Sequence, residues 1–338
     1  MDNIENLINI KGSETLIKIA VPILDLLNPI KYSPNKKYDN KYFFTCILDF
    51  LNTHVSWNKY KGVQNYPISG KYLNQIHNKY IACGAYDEIN KQMLNKYLKK
   101  GKETKLKHQI IDSTFIANKQ GSVKNNNNLL SQKSKQKNKK IRRANKLLPK
   151  NKRIKEETFI DFNRYNGRKK YLKISSITDS MGTPLSIDLV SSKQSDNVTV
   201  KKTIKKIPVS QTQIWQPGFG LPQAVELNTL KNSKINRYKQ SLLADSGYDS
   251  LKNTSYLTSL GYTPRIAWNR RGTKNPKIIK RNKATEQQKK IYKKRVIIES
   301  FFSWMKNYPV INQNYQKTLK SYLGLVLLAA SLIISKRV

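Results

Sequence analysis

The stretch KKRVIIESFFSWMKN, from Lys293 to Asn307, places a single carboxylate among large apolar side chains. On an α-helix each residue advances by about 100°, so Tyr292, Arg295 and Lys306 all fall within about 40° of Glu299. Apolar residues occupy both flanks of this polar stripe: Ile291, Ile298, Phe302 and Met305 on one side, and Ile297, Phe301 and Trp304 on the other.

The sequence predicts one long helix from Ala284 to Asn307. A helix that is apolar on two flanks is wedged into a protein core. The pattern therefore predicts that Glu299 is presented to a cleft. The alternative is an ordinary surface pair between Arg295 and Glu299 at i,i+4 spacing, which is worth only a few tenths of a kcal/mol. That alternative fits the spacing but not the apolar flanks.

Two further carboxylates follow short apolar runs that read as buried strands. Asp112 comes after Ile110 and Ile111, and Asp245 comes after Leu243 and Ala244. The carboxyl ends of strands are where α/β sheets place ligands and catalytic groups. Asp179, Asp196 and Asp249 are assigned ordinary roles instead, the first in a hairpin turn and the other two as helix caps.

Three converging carboxylates repel one another unless a cation lies between them. Hard oxygen ligands suit Mg²⁺ or Mn²⁺. A pair of such ions cleaves or joins phosphodiesters by activating the attacking oxygen and stabilising the leaving oxygen. We therefore expect Asp112, Asp245 and Glu299 to hold metal ions. Phosphodiester chemistry is the reaction that such a site would support.

The composition indicates a polyanionic partner. The 338 residues include 64 Lys and Arg against 21 Asp and Glu, a formal charge of +43. A chain this basic repels itself unless a polyanion neutralises it, and the usual polyanion is nucleic acid. Two cysteines and three scattered histidines give no disulfide framework and no zinc signature.

The ends of the chain carry no targeting or membrane signal in this interpretation. The N-terminus is acidic and lacks the apolar core of a signal peptide. The apolar run from Tyr322 to Ile334 is too short to span a bilayer and predicts a buried helix. We expect a soluble protein without a membrane partner, in a reducing intracellular compartment.

The chain divides near residue 106. Residues 1–106 carry apolar side chains at helical spacing, and two helices joined at Gly84 suit a helix-turn-helix-like unit that binds DNA ends, or equally an ordinary helical bundle. Residues 107–338 alternate strands and helices after an initial hairpin, which predicts an α/β mixed sheet flanked by helices. A basic stretch at about 118–165 reads as a loop with a helical piece near Lys137 to Leu148.

At these residues the chain resembles the DDE transposases of bacterial-type insertion sequences. Their signature is Tyr, two residues, Arg, three residues, Glu, six residues, Lys, and Tyr292, Arg295, Glu299 and Lys306 match every spacing. The segments IIDSTFIA and LLADSGYDS resemble the first and second catalytic strands, and the hairpin around DSMGTP also fits. The resemblance covers roughly residues 107–335, and the basic stretch at 118–165 is longer than the family leads us to expect.

The resemblance implies a ribonuclease-H-like catalytic domain preceded by a helical domain that helps bind transposon ends. It implies metal-dependent cleavage at those ends and strand transfer into target DNA, with Asp112, Asp245 and Glu299 as the catalytic metal ligands. Tyr292, Arg295 and Lys306 would contact DNA, and a homodimer or larger assembly would act on double-stranded DNA. The rival interpretations are a metal-dependent nuclease of the same fold without strand transfer, and a non-catalytic basic architectural protein.

Overall fold

A computed structural model of the chain describes residues 12–30, 38–63, 66–99, 105–118, 132–147, 149, 161–162, 170–207, 240–268, 285–316 and 318–338. Its N-terminal part is helical, as the sequence predicts. The helices are α1 (Ser13–Leu27), α2 (Asn40–Leu51), α3 (Gly70–Ala82) and α4 (Ala85–Leu98), with a small hairpin of β1 (Gly62–Val63) and β2 (Tyr66–Pro67). Gly84 joins α3 to α4 at φ 75°, a left-handed conformation that glycine adopts without strain.

The remaining strands form one mixed sheet. They are β3 (His108–Asn118), β4 (Asp161–Phe162), β5 (Lys170–Thr178), β6 (Pro184–Val190), β7 (Ser241–Ala244), β8 (Thr263–Ile266) and β9 (Gln313–Asn314). The central strand β3 pairs antiparallel with β5, which pairs antiparallel with β6, while β7 pairs parallel with β3 and β8 pairs parallel with β7. The short strand β4 pairs antiparallel with β5, and the short strand β9 pairs parallel with the end of β3.

Seven further helices accompany this sheet in the described residues. They are α5 (Gln132–Leu147), α6 (Asp196–Lys205), α7 (Leu251–Ser259), α8 (Glu286–Lys293), α9 (Val296–Lys306), α10 (Pro309–Asn312) and α11 (Leu319–Ser335). Helix α5 confirms the helical piece predicted within the basic stretch. The parts of that stretch at 119–131, 148, 150–160 and 163–165 lie outside the described residues.

Helices α6 and α9 cover opposite faces of the sheet. Successive side chains of a strand point to opposite faces, and in β3 Asp112 contacts Arg295 beside α9 whereas Ser113 contacts Asp196 of α6. Both helices pack on β3 and β5. This mixed sheet between helices, preceded by a helical region, confirms the predicted fold class and is consistent with a ribonuclease-H-like fold.

The terminal helix α11 connects the sheet to the N-terminal helices. It packs against α1, α3 and α4 as well as β6, and the buried apolar residues of both regions form one continuous core. Polar groups also link them, since Asn90 donates to Ser331 Oγ at 3.0 Å and Trp57 donates to Gln316 Oε1 at 2.6 Å. No described helix, α11 included, is both long and apolar enough to cross a membrane.

Two local predictions are wrong. The sequence predicts one helix from Ala284 to Asn307, but the structure ends α8 at Lys293 and starts α9 at Val296. Between them the backbone bonds tighten to i−3 spacing, with Arg295 N donating to Tyr292 O. Like-charged pairs at i,i+4, Lys289 with Lys293 and Lys290 with Lys294, weaken an α-helix here.

The second correction concerns β3. The sequence interpretation ends this strand at its carboxylate. In the structure β3 continues past Asp112 to Asn118, because it remains paired with β5 as far as Ala117 and its last two residues pair with β9.

Candidate active site

Asp112 and Asp245 lie at the same level on neighbouring strands. The parallel pairing of β3 with β7 runs from His108 opposite Ser241 to Ile110 opposite Leu243. Two residues further on, this register brings Asp112 level with Asp245, at the point where β7 ends. The side chain of each aspartate accepts a hydrogen bond from the next backbone N–H, at 2.8 Å from Ser113 and 2.6 Å from Ser246.

Arg295 joins these strands to helix α9. Its Nη1 donates to Asp112 Oδ2 at 2.8 Å, and its Nη2 lies 3.7 Å from Glu299 Oε1. Its guanidinium also lies 5.8 Å from the centroid of the Tyr292 ring. The Tyr292 hydroxyl donates to Asp245 Oδ1 at 3.3 Å. Five of the six residues named from the sequence therefore lie in one cluster.

The helix that carries Glu299 is wedged into the core as the two-flank pattern predicts. Ile298, Phe301, Phe302 and Met305 are buried, and Ile297 and Trp304 are half-buried against the core. The Glu299 side chain is 58% exposed, compared with 19% for Asp112 and 22% for Arg295. Glu299 thus lies on the open side of the cluster, while Asp112 lies at its closed side.

The sixth residue, Lys306, lies two helical turns beyond Glu299. Burial lowers the pKa of its ammonium group. Among the described residues it has no hydrogen-bond or ion-pair partner. The structure therefore does not bring Lys306 into the carboxylate cluster, and its predicted contact with DNA stays a prediction.

The environment of Asp112 disfavours its charged form. Burial raises the pKa of this carboxyl to about 6, and the negative charges of Asp196 and Asp245 act in the same direction. The Ser113 N–H and the Arg295 guanidinium oppose the rise. A carboxylate in this position is stabilised by any additional cation placed beside it.

Sequence reasoning missed a fourth carboxylate beside the cluster. Asp196 does not cap α6, because Ser195 occupies the N-cap position, and its Oδ1 instead receives Lys173 Nζ at 2.7 Å and Ser113 Oγ at 2.8 Å. Asp249 is not the N-cap of α7 either, since Ser250 occupies that position and its side chain accepts from Asn253 N. Asp179 does belong to the hairpin turn, where it accepts from the N–H groups of Met181 and Thr183. The one available signal for Asp196 was a lysine inside a strand, at Lys173.

The cluster has the donor chemistry of a divalent metal site. Among the described residues, the four carboxylates outnumber the two cations that pair with members of this group, Arg295 and Lys173. The carboxylates are Asp112, Asp196, Asp245 and Glu299. Hard oxygen donors with excess negative charge fit Mg²⁺ or Mn²⁺. In the described part of the chain, no three Asp, Glu, His or Cys side chains lie in positions that could hold a metal ion together. Within the cluster, the Arg295 guanidinium lies between the carboxylates of Asp112 and Glu299.

Comparison with known proteins identifies the family. The chain matches the transposase DDE domain family over residues 103–334, which is more than half of its length. The chain belongs to this transposase family. Searches of curated proteins and of solved structures gave no match. Family membership indicates that this DDE transposase functions in DNA transposition and that its substrate is DNA. Members of the family generally use divalent metal ions.

Proposed function

We propose that this DDE transposase cleaves DNA at the ends of a mobile element and joins the freed 3′-hydroxyl to target DNA. The observation that carries the proposal is the grouping of Asp112, Asp245 and Glu299 around Arg295 within the family's domain. Asp112, Asp245 and Glu299 would hold one or two Mg²⁺ or Mn²⁺ ions. When bound, such ions supply activation of the attacking oxygen and stabilisation of the leaving oxygen.

The protein groups supply position and charge. The register of β3 with β7 brings Asp112 and Asp245 to the same level just beyond the last paired residues. The buried flanks of α9 fix the helix that presents Glu299. Tyr292 holds Asp245 through its hydroxyl. Arg295 compensates Asp112 and Glu299 in the absence of DNA, and we propose that it binds a phosphate of the DNA end when DNA is present. Lys306 would bind a second phosphate farther along the backbone.

The N-terminal region, residues 1–106, is the part of the chain that we propose binds the DNA ends. Helix α3 contains no acidic residue, and its exposed side chains include Lys71, Gln75, Asn78 and Lys79. Helix α4 carries Asp87 and Glu88 in its first turn and is the poorer candidate for contact with phosphate. We propose that α3 faces the DNA and that the active form is a homodimer or larger assembly on paired ends.

The decisive experiment measures cleavage and joining by the purified full chain. Substrates are duplexes carrying the inverted repeats that flank the gene, intact or already cleaved to expose a 3′-hydroxyl. We expect Mg²⁺-dependent cleavage and joining, both lost with Asp112→Asn, Asp245→Asn and Glu299→Gln. DNA binding should persist in these variants because removing a negative charge does not weaken phosphate attraction.

The control is Glu286→Gln, which neutralises an exposed glutamate of α8 that pairs only with Lys289 among the described residues. It should behave like the wild type. Cleavage without joining of pre-cleaved ends would support the nuclease instead. Metal-independent DNA condensation with no cleavage would support an architectural protein, and normal cleavage by any one triad variant would remove that residue from the site.

A face of α3 is tested by the double variant Lys71→Ala/Lys79→Ala. It should reduce the slope of log affinity for end DNA against log salt by about two. The matched control is Lys91→Ala on α4, whose ammonium is already paired with Glu88 at 3.4 Å. Equal slopes for the two variants would exclude α3 as the DNA-facing helix. The oligomeric state is tested separately, by mass photometry of the protein mixed with end DNA at one and at two DNA ends per protomer.

A further inference from the structure

Asp196 lies between the two chain segments that follow Asp112 and Asp245. Its Oδ1 accepts from Ser113 Oγ at 2.8 Å, and Ser113 is the residue after Asp112. The other carboxylate oxygen, Asp196 Oδ2, faces Gly247, which is two residues after Asp245. The two are so close that a Cβ added to Gly247 would lie 3.5 Å from Asp196 Oδ2, in van der Waals contact. One carboxylate of α6 thus contacts one of these segments and closely approaches the other.

A buried lysine fixes the position of this carboxylate. Lys173 of β5 is 4% exposed, and its Nζ donates to Asp196 Oδ1 at 2.7 Å and to Gln194 O at 3.2 Å. It also lies 5.3 Å from the centroid of the Phe115 ring. The Asp196 side chain is 32% exposed, so only the lysine of this pair is buried. Desolvation of a buried charge offsets much of the attraction to its partner, so the pair is weak evidence for a stabilising role. Its clearer effect here is to hold the Asp196 carboxylate at one point.

Around Asp112, strand β3 is hydrogen-bonded to a neighbouring strand along only one of its two edges. In the described residues the pairing of β3 with β7 ends at Ile110, and its pairing with β9 begins at Ala117. Between these points β3 pairs with β5 alone. The Ser113 hydroxyl ties this half-supported segment to α6, and the Ser113 N–H in turn donates to Asp112 Oδ1 at 2.8 Å.

We infer that Asp196 is a positioning residue for the Asp112 carboxylate, acting through Ser113 and held in place by Lys173. The inference rests on the proposed function, because it assigns Asp112 a metal-binding role. Groups that orient metal ligands from behind commonly change metal affinity or activity by about 10–100-fold when they are removed. Asp196 itself needs no contact with metal or DNA for this effect.

The sharpest variant is Ser113→Ala. It removes the hydroxyl that links Asp112 to Asp196 but keeps the backbone N–H and the pair between Asp196 and Lys173. Asp196→Asn is less suitable because it leaves Lys173 buried without a compensating charge, which destabilises the fold. The matched control is Ser175→Ala. Ser175 lies directly opposite Ser113 on β5, and its hydroxyl bonds Thr203 of α6 at 2.8 Å.

The experiment measures Mn²⁺ binding to the full chain by calorimetry, together with the rate of DNA-end cleavage and thermal stability. We expect Ser113→Ala to weaken Mn²⁺ binding and slow cleavage by about 10-fold or more, with DNA affinity unchanged. Ser113→Thr, which restores a hydroxyl, should recover most of the loss. Ser175→Ala should leave both Mn²⁺ affinity and cleavage at wild-type levels.

The possible failures are distinguishable. If Asp112→Asn abolishes metal binding and cleavage but Ser113→Ala matches Ser175→Ala, the positioning role of Asp196 is overturned and the proposed function stands. If Asp112→Asn keeps normal metal binding and cleavage, both are overturned.

Discussion

The Arg295 guanidinium binds Asp112 more closely than it binds Glu299, its neighbour one turn along the chain. Nη1 lies 2.8 Å from Asp112 Oδ2, whereas Nη2 lies 3.7 Å from Glu299 Oε1. The contact with Asp112 spans 183 residues of sequence and joins α9 to the central strand. Arg295 is therefore not simply a surface partner of Glu299. Its first role in the DNA-free protein is to compensate a buried carboxylate.

Arg295→Ala should weaken binding of end DNA in a metal-dependent way. Without a divalent cation Arg295 is engaged by Asp112, so its loss should change DNA affinity little in EDTA. With Ca²⁺ present, the cation competes for Asp112, and Arg295 becomes available to phosphate. The variant should then lower the slope of log affinity against log salt by about one.

The measurement is fluorescence anisotropy across a salt series, in EDTA and in Ca²⁺. Lys289→Ala is the control, because Lys289 is exposed and pairs with Glu286 at 2.5 Å on α8. An unchanged slope in Ca²⁺ would show that Arg295 does not contact phosphate.

Asp112→Asn should stabilise the metal-free protein at neutral pH. Burial raises the pKa of Asp112 from 3.8 to about 6 in the folded state. Its contribution to stability is therefore complete below pH 3.8 and is lost as the pH rises through about 6. Since one pKa unit corresponds to about 1.4 kcal/mol, the asparagine variant should gain up to about 3 kcal/mol at pH 7.5.

Chemical denaturation in EDTA at pH 7.5 and pH 4 measures this effect. The gain should be present at the higher pH and absent at the lower one, and Glu286→Gln should show no gain at either. A destabilised asparagine variant at pH 7.5 would mean that the ion pair with Arg295 outweighs the cost of burying the carboxylate.

His77 should make the fold sensitive to mild acid. It is fully buried, and its ring bonds Tyr86 OH at 2.8 Å and Ser321 O at 3.0 Å. Because a carbonyl only accepts, Nε2 carries the proton and Nδ1 accepts from Tyr86. Burial lowers the pKa of His77 to about 4. Its contribution is present above pH 6.5 and is lost as the pH falls toward 4, a total of about 3 kcal/mol.

Unfolding free energies measured between pH 7.5 and pH 4 test this expectation. His77→Gln should flatten the pH dependence across that window, at a cost in stability at pH 7.5. His54→Gln, at an exposed histidine, should keep the wild-type profile. Parallel profiles for wild type and His77→Gln would show that His77 does not control the acid response.

A fragment of residues 1–106 should not fold by itself. Helix α11 fills the core of the N-terminal helices, where a Cβ on Gly324 would come within 2.9 Å of Ile81. Deleting α11 exposes that apolar surface and leaves the Nε2 proton of His77 without its Ser321 acceptor. The fragment should show no cooperative thermal transition by circular dichroism, while a fusion of 1–106 to residues 308–338 should regain one.

A cooperative transition in the isolated fragment would show that the division near residue 106 is a true domain boundary. Until that measurement the boundary stays a prediction, as does the DNA-end-binding role of the N-terminal region. The shared core explains why the variants on α3 are best tested in the full chain.

Local patterns in the sequence were sufficient for much of this site. The two apolar flanks around Glu299 depend only on helical spacing, and the apolar runs before Asp112 and Asp245 depend only on residue type. The same rules gave the hairpin turn at Asp179 and the basic helix α5. These features rest on interactions between residues close in the chain, which sequence periodicity reports directly.

The tertiary structure decided which of these groups meet, and here the sequence was silent or wrong. Asp196 looked like a helix cap because aspartate favours that position, yet Lys173 and Ser113, on two other elements, determine its place. Lys306 shares the helical stripe of Glu299 but not the cluster, and Arg295 turns to Asp112 across the sheet. Strand register and the burial of charge are set by contacts between distant segments. A buried charge takes whichever opposite charge the fold brings within reach, because leaving it unpaired in the interior costs more than any local preference can return.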